Sequence, residues 1–463
     1  MTSRTVVPGY LPNDRPEFGR LVLLGLQHVV TMFPATIFVA LLCGFHPSTV
    51  LLGAGVATIV ALILSRQQIG TFIPLFYGSS FSYIAAYLGV AKAMGHDVKF
   101  GVPAPDEVIA VMQAGIIATG LLNIFVGFVI KAVGKAAVDQ VLPPVVTGSV
   151  ACVIGIGLSK AALDLSFLGG YWGIALVTLV ATIGFSYLLQ GRGFIGMLPV
   201  LLGAIVGYVL TLIVAPDQIS FAKVAAAPVL SAPHITLPDF TGPLITTAIF
   251  SISIMAIATI PESTAHLYQI SLYVDRLADE QGRTKPRLDR YLGFNLIYDG
   301  VGDVLHGIFG ATAGTNYGEN NSLMVITRNY SGPALLASGA ICILLAFVGK
   351  LAAFVATIPV FVSGGLALYL FGVIGMQGIA LMQEHKVDLF DPLQLGIGAV
   401  IMVIGIGGTI GYEGGFLPIK IAGVFPNGLP AIATAAVVGI VLNLVFRALK
   451  PLAAAATAER PAE

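Results

Sequence analysis

Charge is scarce in this sequence. Of its 463 residues only 10% are Asp, Glu, Lys or Arg, while 57% are hydrophobic. A soluble domain carries about 25% charged residues, so too little polar side chain is available to solvate a globular surface. Cysteine is scarce as well. Cys43, Cys152 and Cys342 all lie in apolar stretches and read as small buried hydrophobes, with neither a disulfide framework nor a metal-ligand spacing. Neither sign of charge prevails, with 23 basic against 23 acidic residues, and nothing points to nucleic acid. Also missing is the alternation of apolar and polar residues over about ten positions that marks a barrel strand.

What the chain has instead is apolar runs of about twenty residues along its whole length, enough to cross ~30 Å of hydrocarbon. Its 55 glycines and 26 prolines would break soluble helices, but both are common in transmembrane ones. Candidate spans fall at 20–43, 48–64, 72–90, 108–130, 142–159, 171–189, 194–215, 243–268, 291–311, 319–328, 334–356, 358–382, 393–411 and 430–448. The fold class expected is an all-α polytopic membrane protein with fourteen transmembrane segments, of which the third and tenth are the least regular. Arg4, Asp14, Arg15, Glu17 and Arg20 form a polar amino-terminal tail. The next segment continues as a span without a small-residue cleavage site, so a cleaved signal peptide is not expected. An Ala-rich tail follows Lys450, and a soluble domain is expected at neither end.

An even number of spans puts both termini on one side. With the amino terminus inside, the cytoplasmic segments collect all twelve arginines and five lysines (Lys131, Lys135, Lys285, Lys386, Lys450), 17 of the 23 basic residues. That asymmetry obeys the positive-inside rule. The segment 275–290, with Arg276, Arg283, Lys285, Arg287 and Arg290, is the strongest cytoplasmic marker and lies just past the middle of the chain. Two halves of seven spans follow, and because seven is odd the halves are inverted. Inverted repeats put a binding site at the midplane, where broken helices meet.

The third and tenth spans carry the signals of such breaks. The third holds Tyr77-Gly78-Ser79-Ser80-Phe81-Ser82; the tenth follows Ala311-Thr312-Ala313-Gly314-Thr315-Asn316-Tyr317-Gly318 and opens on Glu319-Asn320. Extended backbone at this depth is tolerated only inside protein or along a cavity. Each short segment would feed a half-helix whose amino end presents N–H groups to a ligand.

Acidic side chains at membrane depth cost at least ~2.5–3.5 kcal/mol on insertion scales and mark functional sites. Glu319 falls in the first turn of the tenth half-helix, where it caps the helix or contacts a ligand. Glu262 lies in Ile260-Pro261-Glu262-Ser263-Thr264-Ala265-His266. Pro261 is expected to kink that span, and Glu262 and His266, four apart, share a face as a proton-handling pair. His28 stands alone in the first span. Asp299 and Asp303, with His306 close behind, are further intramembrane acids that bridge helices or join a proton path. Two carboxylates would repel an inorganic anion, whereas a neutral planar solute rich in N–H donors suits carboxylates beside backbone N–H groups. Phe81 and Tyr317 can supply flat walls for it.

At these residues the chain resembles the nucleobase–ascorbate transporter family, also called nucleobase:cation symporter-2, over approximately residues 20–450. The resemblance rests on Leu26-Gln27-His28, on Gly78-Ser79-Ser80-Phe81, on Glu262 with His266, and above all on Asn316-Tyr317-Gly318-Glu319-Asn320 running on to Ile326-Thr327-Arg328. It implies two inverted repeats of seven spans, with short extended segments in spans 3 and 10. A core domain would take residues 20–141 and 243–357, a gate domain 142–242 and 358–450, between cytoplasmic tails 1–19 and 451–463. Carried over residue by residue, Glu262, Glu319, Phe81, Tyr317 and Gly318 would bind the base. His266, His28, Asn320, Asp299 and Asp303 would support the site or couple protons. The implied activity is proton symport of a nucleobase in a bacterial inner membrane, with no cofactor or metal and a homodimer through the gate. Gly318-Glu319 resembles the uracil permeases, while Asp299-Gly300 resembles the purine members. Uracil or a related oxo-pyrimidine is therefore expected, with xanthine or uric acid as the alternative.

A rival of the same architecture is an anion transporter of the sulfate-permease or bicarbonate type, for which a positive rather than acidic site is expected. An enzyme is not expected, because His28, His266 and His306 scatter over three spans without ligand spacing.

Overall fold

The computed structural model describes residues 9–242, 244–422 and 424–458. The fold is mostly helical. Its first part comprises α1 (Phe18–Cys43), α2 (Pro47–Ile69), β1 (Tyr77–Ser79), α3 (Ile84–Ala93) and α4 (Asp106–Val133). After a short α5 (Lys135–Val141) come α6 (Pro144–Gly157), α7 (Ser159–Phe167), α8 (Trp172–Leu188), α9 (Pro199–Val214) and α10 (Ala222–Ala226). The second part opens with α11 (Ile245–Ser253), α12 (Ala256–Glu280), α13 (Leu292–Phe309), β2 (Gly314–Asn316) and α14 (Gly318–Thr327). It closes with α15 (Gly332–Ala346), α16 (Gly349–Val355), α17 (Val360–Glu384), α18 (Pro392–Gly411), the hairpin of β3 (Phe416–Leu417) and β4 (Leu429–Pro430), and α19 (Ala431–Ala458). Among the described residues eight helices are long and apolar enough to cross a membrane, and α8, α9 and α15 are shorter apolar ones.

Local sequence sets the helix ends. Pro47 occupies the first turn of α2, where its missing N–H is no loss. Gly44 and Gly70 end α1 and α2 in the left-handed region, at φ 74° and 75°. The Ser331 and Asp391 side chains cap α15 and α18 by accepting from Ala334 N and Leu393 N.

The most extensive helix contacts fall into two groups. In one, α4 packs on α13 and α11, α2 on α15 and α13, and α1 on α15; in the other, α17 packs on α6, α7 and α8, α18 on α19 and α6, and α8 on α9. The closest helix pairs meet through glycine. A Cβ on Gly120 would stand 2.5 Å from Gly300 O, one on Gly55 2.6 Å from Gly339 O, and one on Gly378 2.5 Å from Gly148 O. In lipid, where apolar surface gains nothing by leaving the solvent, such backbone proximity is what holds helices together. Many large apolar side chains of α8, α9 and α18 remain exposed, among them Val180, Tyr187, Ile213 and Val403, as a hydrocarbon-facing surface requires.

Pro261 lies inside α12, which runs through it to Glu280, and the helix is interrupted earlier, at Ile254–Met255. The ladder tightens there, with Ile257 N donating to Ile254 O and Ala258 N to Met255 O at 3.1 and 2.9 Å. Restarting the helix at Ala256 leaves Pro261 just past the first turn, so the missing donor strands only one early carbonyl. Part of the basic segment 275–290 is therefore helix, and Arg276 pairs with Glu280 within α12 at 3.2 Å. The amino-terminal tail is folded from residue 9 onward. Tyr10 N donates to Arg328 O and Tyr330 N to Tyr10 O, both at 2.9 Å, while residues 1–8, including Arg4, and 459–463 lie outside the described residues. The carboxy-terminal stretch continues as α19 through Ala458.

Candidate functional site

The two irregular segments pair with each other. β1 runs antiparallel to β2, matching Tyr77 with Asn316, Gly78 with Thr315 and Ser79 with Gly314. Ser80 N→Ala313 O and Tyr317 N→Phe76 O, both 3.0 Å, extend the ladder at its two ends. Each strand is followed by a helix start: a 3-10 turn Phe81–Tyr83 leading into α3, and α14. The outward backbone groups of the pair are met by protein side chains, as extended chain far from water requires: Tyr77 N, for one, donates to Thr58 Oγ1 of α2 at 3.1 Å.

A buried polar layer locks the crossing. Asp303, on α13, accepts from Gly314 N at 2.6 Å and from Asn123 Nδ2 on α4 at 3.1 Å. Ser263 Oγ accepts from Asn295 Nδ2 at 2.9 Å and from Asn316 Nδ2. Tyr87 OH accepts from Ala313 N at 2.6 Å. Tyr317 turns its ring under β1, where its hydroxyl donates to Ser79 O and meets Thr36 Oγ1, both at 2.8 Å. Gly78 makes room for it: a Cβ there would lie 2.7 Å from the ring. The Tyr317 ring is thus buried in the crossing rather than presented as a flat wall.

In front of this layer the accessible side chains converge. Glu319, in the first turn of α14, is exposed, and Glu262 and His266 on α12, Gly318 and Phe81 are half-buried. Glu262 Oε2 makes a long 3.5 Å contact with Thr315 Oγ1 on β2. Glu262 and Glu319 are near enough to interact through their charges. The Glu319 carboxylate also accepts from its own N–H, so it serves the helix start as well as facing outward. Phe81 stacks on Phe38 of α1 with ring centroids 6.1 Å apart, and Phe38 in turn meets Phe371 of α17 edge-on at 6.3 Å.

The Glu262–His266 pair expected from their spacing is arranged differently. His266 reaches the Asn316 backbone and lies against the turn into α14, where a Cβ on Gly318 would be 3.0 Å from its Nε2. Asn320 is buried and donates to His28 Nδ1 and His28 O, both at 3.1 Å, tying α14 to α1. Asp299, Asp303 and His306 are all buried, and Asp299, bonded to Ser263, is near enough to Glu262 for their charges to interact. Sequence reasoning passes over Ser263 as a hub, and over Asn123, Asn295, Thr36 and Tyr87. Asn123 and Asn295, amides inside apolar spans, carry the one signal that points to them.

Residues 19–414 match the profile of a family described as the Permease family. The chain belongs to that family. The resemblance to nucleobase:cation symporter-2 transporters read from the motifs thus holds, and the chain is a membrane transporter rather than an enzyme. Relatives of this permease include a protein named uracil permease from Bacillus caldolyticus, 34% identical over 94% of this chain and 93% of its own. The uracil permease of Escherichia coli K12 is 32% identical, covering 95% and 94%. A putative pyrimidine permease, RutG, from the same organism is 29% identical, covering 88% and 87%. In fold the permease is similar to the transmembrane domain of the cyanobacterial bicarbonate transporter BicA (TM-score 0.54, 16% identity, 94% of this chain and 100% of that one). It is also similar to the murine Slc26a9 anion transporter (TM-score 0.61, 13% identity, 95% and 69%). Both likenesses concern the fold alone.

Proposed function

We propose that this permease is a nucleobase symporter that imports uracil or a related oxo-pyrimidine together with protons by alternating access. The observation that carries the reading is the pair of carboxylates, Glu262 and Glu319, brought to one accessible face beside the β1–β2 crossing. A uracil-like ring offers N–H donors to the carboxylates and carbonyls to the N–H groups at the start of α14. Relatives named uracil permease support the same substrate. Phe81, backed by Phe38, is the apolar wall; His266 positions the Gly318 turn, and His28 with Asn320 holds α14. Glu262 is the proposed proton carrier, and Asp299 and Asp303 maintain the crossing.

We further propose fourteen spans in inverted repeats of seven. The reading is supported by symmetry in the contacts. α2 is the second span and α15 the eleventh, α4 the fourth and α13 the ninth. Exchanging the halves turns the α2–α15 contact into the α13–α4 contact, and both are glycine-lined. The β1–β2 pair maps onto itself. The two packing groups support a core of 20–141 with 243–357 and a gate of 142–242 with 358–450. Termini facing the cytoplasm of a bacterial inner membrane, and a homodimer through the gate, belong to the same reading.

The test is uptake into proteoliposomes of labelled uracil, thymine, xanthine, uric acid and hypoxanthine, with and without a protonophore. Uracil accumulation that collapses with the protonophore is expected. Transport of bicarbonate or sulfate and of none of these bases would overturn the proposal.

A further inference from the structure

Away from the β1–β2 crossing, three segments distant in sequence bring metal-ligating side chains together. His46 precedes the first turn of α2, Asp106 opens α4, and His234 lies in the segment between α10 and α11. One ligand atom from each lies within 4.8 Å of the others. His234 Nε2 is 2.9 and 3.0 Å from the two carboxylate oxygens of Asp106. The His46 and His234 rings are 4.3 Å apart between centroids. We propose that these three side chains form a binding site for a divalent transition metal of the zinc class.

The scaffold fixes the backbone that carries the three donors without using the donor atoms themselves. Ala104 N donates to Gly44 O at 2.7 Å, tying the turn before His46 to the turn before Asp106. Two residues beyond His234, Thr236 is clamped to α4: Gln113 Nε2 donates to Thr236 O at 2.9 Å and Thr236 Oγ1 to Gln113 Oε1 at 2.8 Å. Thr49 Oγ1 donates to the carbonyl of His234 itself. A site whose supporting bonds are already made orders little on binding. An ordinary ion pair accounts for Asp106 and His234 but leaves the second imidazole unexplained. Two imidazoles and a carboxylate suit Zn²⁺, Cu²⁺ or Ni²⁺, not the all-oxygen preference of Mg²⁺. Three protein ligands leave a fourth position for water. The partly exposed side chains give an ion access from solvent.

The sequence gives no hint of the site, because positions 46, 106 and 234 show no ligand spacing. Bound metal would join three segments, the last of them linked to α13 because Gln113 Nε2 also donates to Gly307 O at 2.6 Å.

The experiment is calorimetric titration of untagged, detergent-purified protein with Zn²⁺, with Mg²⁺ as control. One Zn²⁺ per chain is expected, with affinity falling at least about tenfold in each of His46→Gln, Asp106→Asn and His234→Gln and unchanged in the His96→Gln/His385→Gln double variant. Equal Zn²⁺ binding by the triple variant H46Q/D106N/H234Q, or loss of binding in the His96/His385 variant, would mean adventitious surface binding and overturn the proposal. X-ray absorption of the wild-type protein loaded with one equivalent of Zn²⁺ needs no variant to fold. Two imidazoles in the first shell support the site, and a shell without imidazole refutes it. Neither readout depends on the transported substrate.

Discussion

Glu319 combines two roles that usually exclude each other. Its carboxylate accepts from its own backbone N–H at the start of α14, yet the side chain is exposed. A glutamine keeps an acceptor but adds a donor where a ligand N–H should meet an oxygen. Hydrogen bonds to a charged group contribute about 1.5–3 kcal/mol, so Glu319→Gln is expected to weaken uracil binding about 10- to 100-fold, measured by equilibrium binding of labelled uracil. Unchanged affinity would remove Glu319 from the site. Gly78 and Gly318 should differ in the opposite sense from their closeness to the ligand. A Cβ on Gly78 meets the buried Tyr317 ring at 2.7 Å, whereas one on Gly318 meets the edge of the half-buried His266 ring at 3.0 Å. Overpacking costs about 1–3 kcal/mol, so Gly78→Ala is expected to lower the melting temperature more than Gly318→Ala does, as thermal unfolding in detergent will tell. Glu262 and Glu319 were legible in the sequence because a charge in an apolar run stands out. The direction of His266 was not, since helical spacing says which face a residue shares and not which neighbouring turn it meets.

Among the elements, β1 and β2 were legible as irregular segments from their small and β-branched residues, but their mutual pairing was not, because register depends on what the flanking helices bring together. Asp303 shows how that pairing is held. It bridges Gly314 N of β2 and Asn123 of α4. Replacing it by alanine strands a buried backbone donor, at about 1–3 kcal/mol. Asparagine retains an acceptor for Gly314, and its amide can donate to Asn123 once that side chain turns its unpartnered Oδ1 inward. Asp303→Ala is therefore expected to lose thermal stability and uracil binding together, while Asp303→Asn keeps most of both. Equal loss in the two variants would assign Asp303 a role that needs its charge. The interruption at Ile254–Met255, ahead of Pro261 and marked by no proline or glycine of its own, illustrates the same limit of sequence reading. Proline marks where a helix cannot bond normally, and the surrounding packing selects where it yields.

For the molecule as a whole, the membrane character and most helix positions followed from apolar run lengths, while the two packing groups depended on glycine contacts between residues more than a hundred positions apart. The amino-terminal arm had read as a polar tail, but it is bound to the body. Asp14 accepts from both terminal nitrogens of Arg283 at 2.6 and 2.7 Å, and its carbonyl accepts from Ser331 Oγ at 2.6 Å. Burial raises the Asp14 pKa, but hydrogen bonds from Arg283 and Leu11 N–H, together with the guanidinium charge, outweigh it and hold the carboxyl below the ordinary 3.8. A carboxyl depressed on folding stabilises above its unfolded pKa, and that contribution is lost as pH falls through the folded value. The stability difference between wild type and Asp14→Asn, about 1 kcal/mol for a partly exposed pair, is thus expected to stay level from pH 7 to 5 and shrink only below about 4, as urea titrations across that range will report. The β1–β2 crossing bears finally on how the protein is made. Tyr77–Ser79 enters the membrane with its ladder partner still untranslated, and unpaired backbone is not tolerated in lipid. The first half must therefore be held unfinished, sheltered by water, by its own helices or by the insertion machinery, until Gly314–Asn316 emerges. Two fragments divided between them should each be defective alone and recover only when synthesised together.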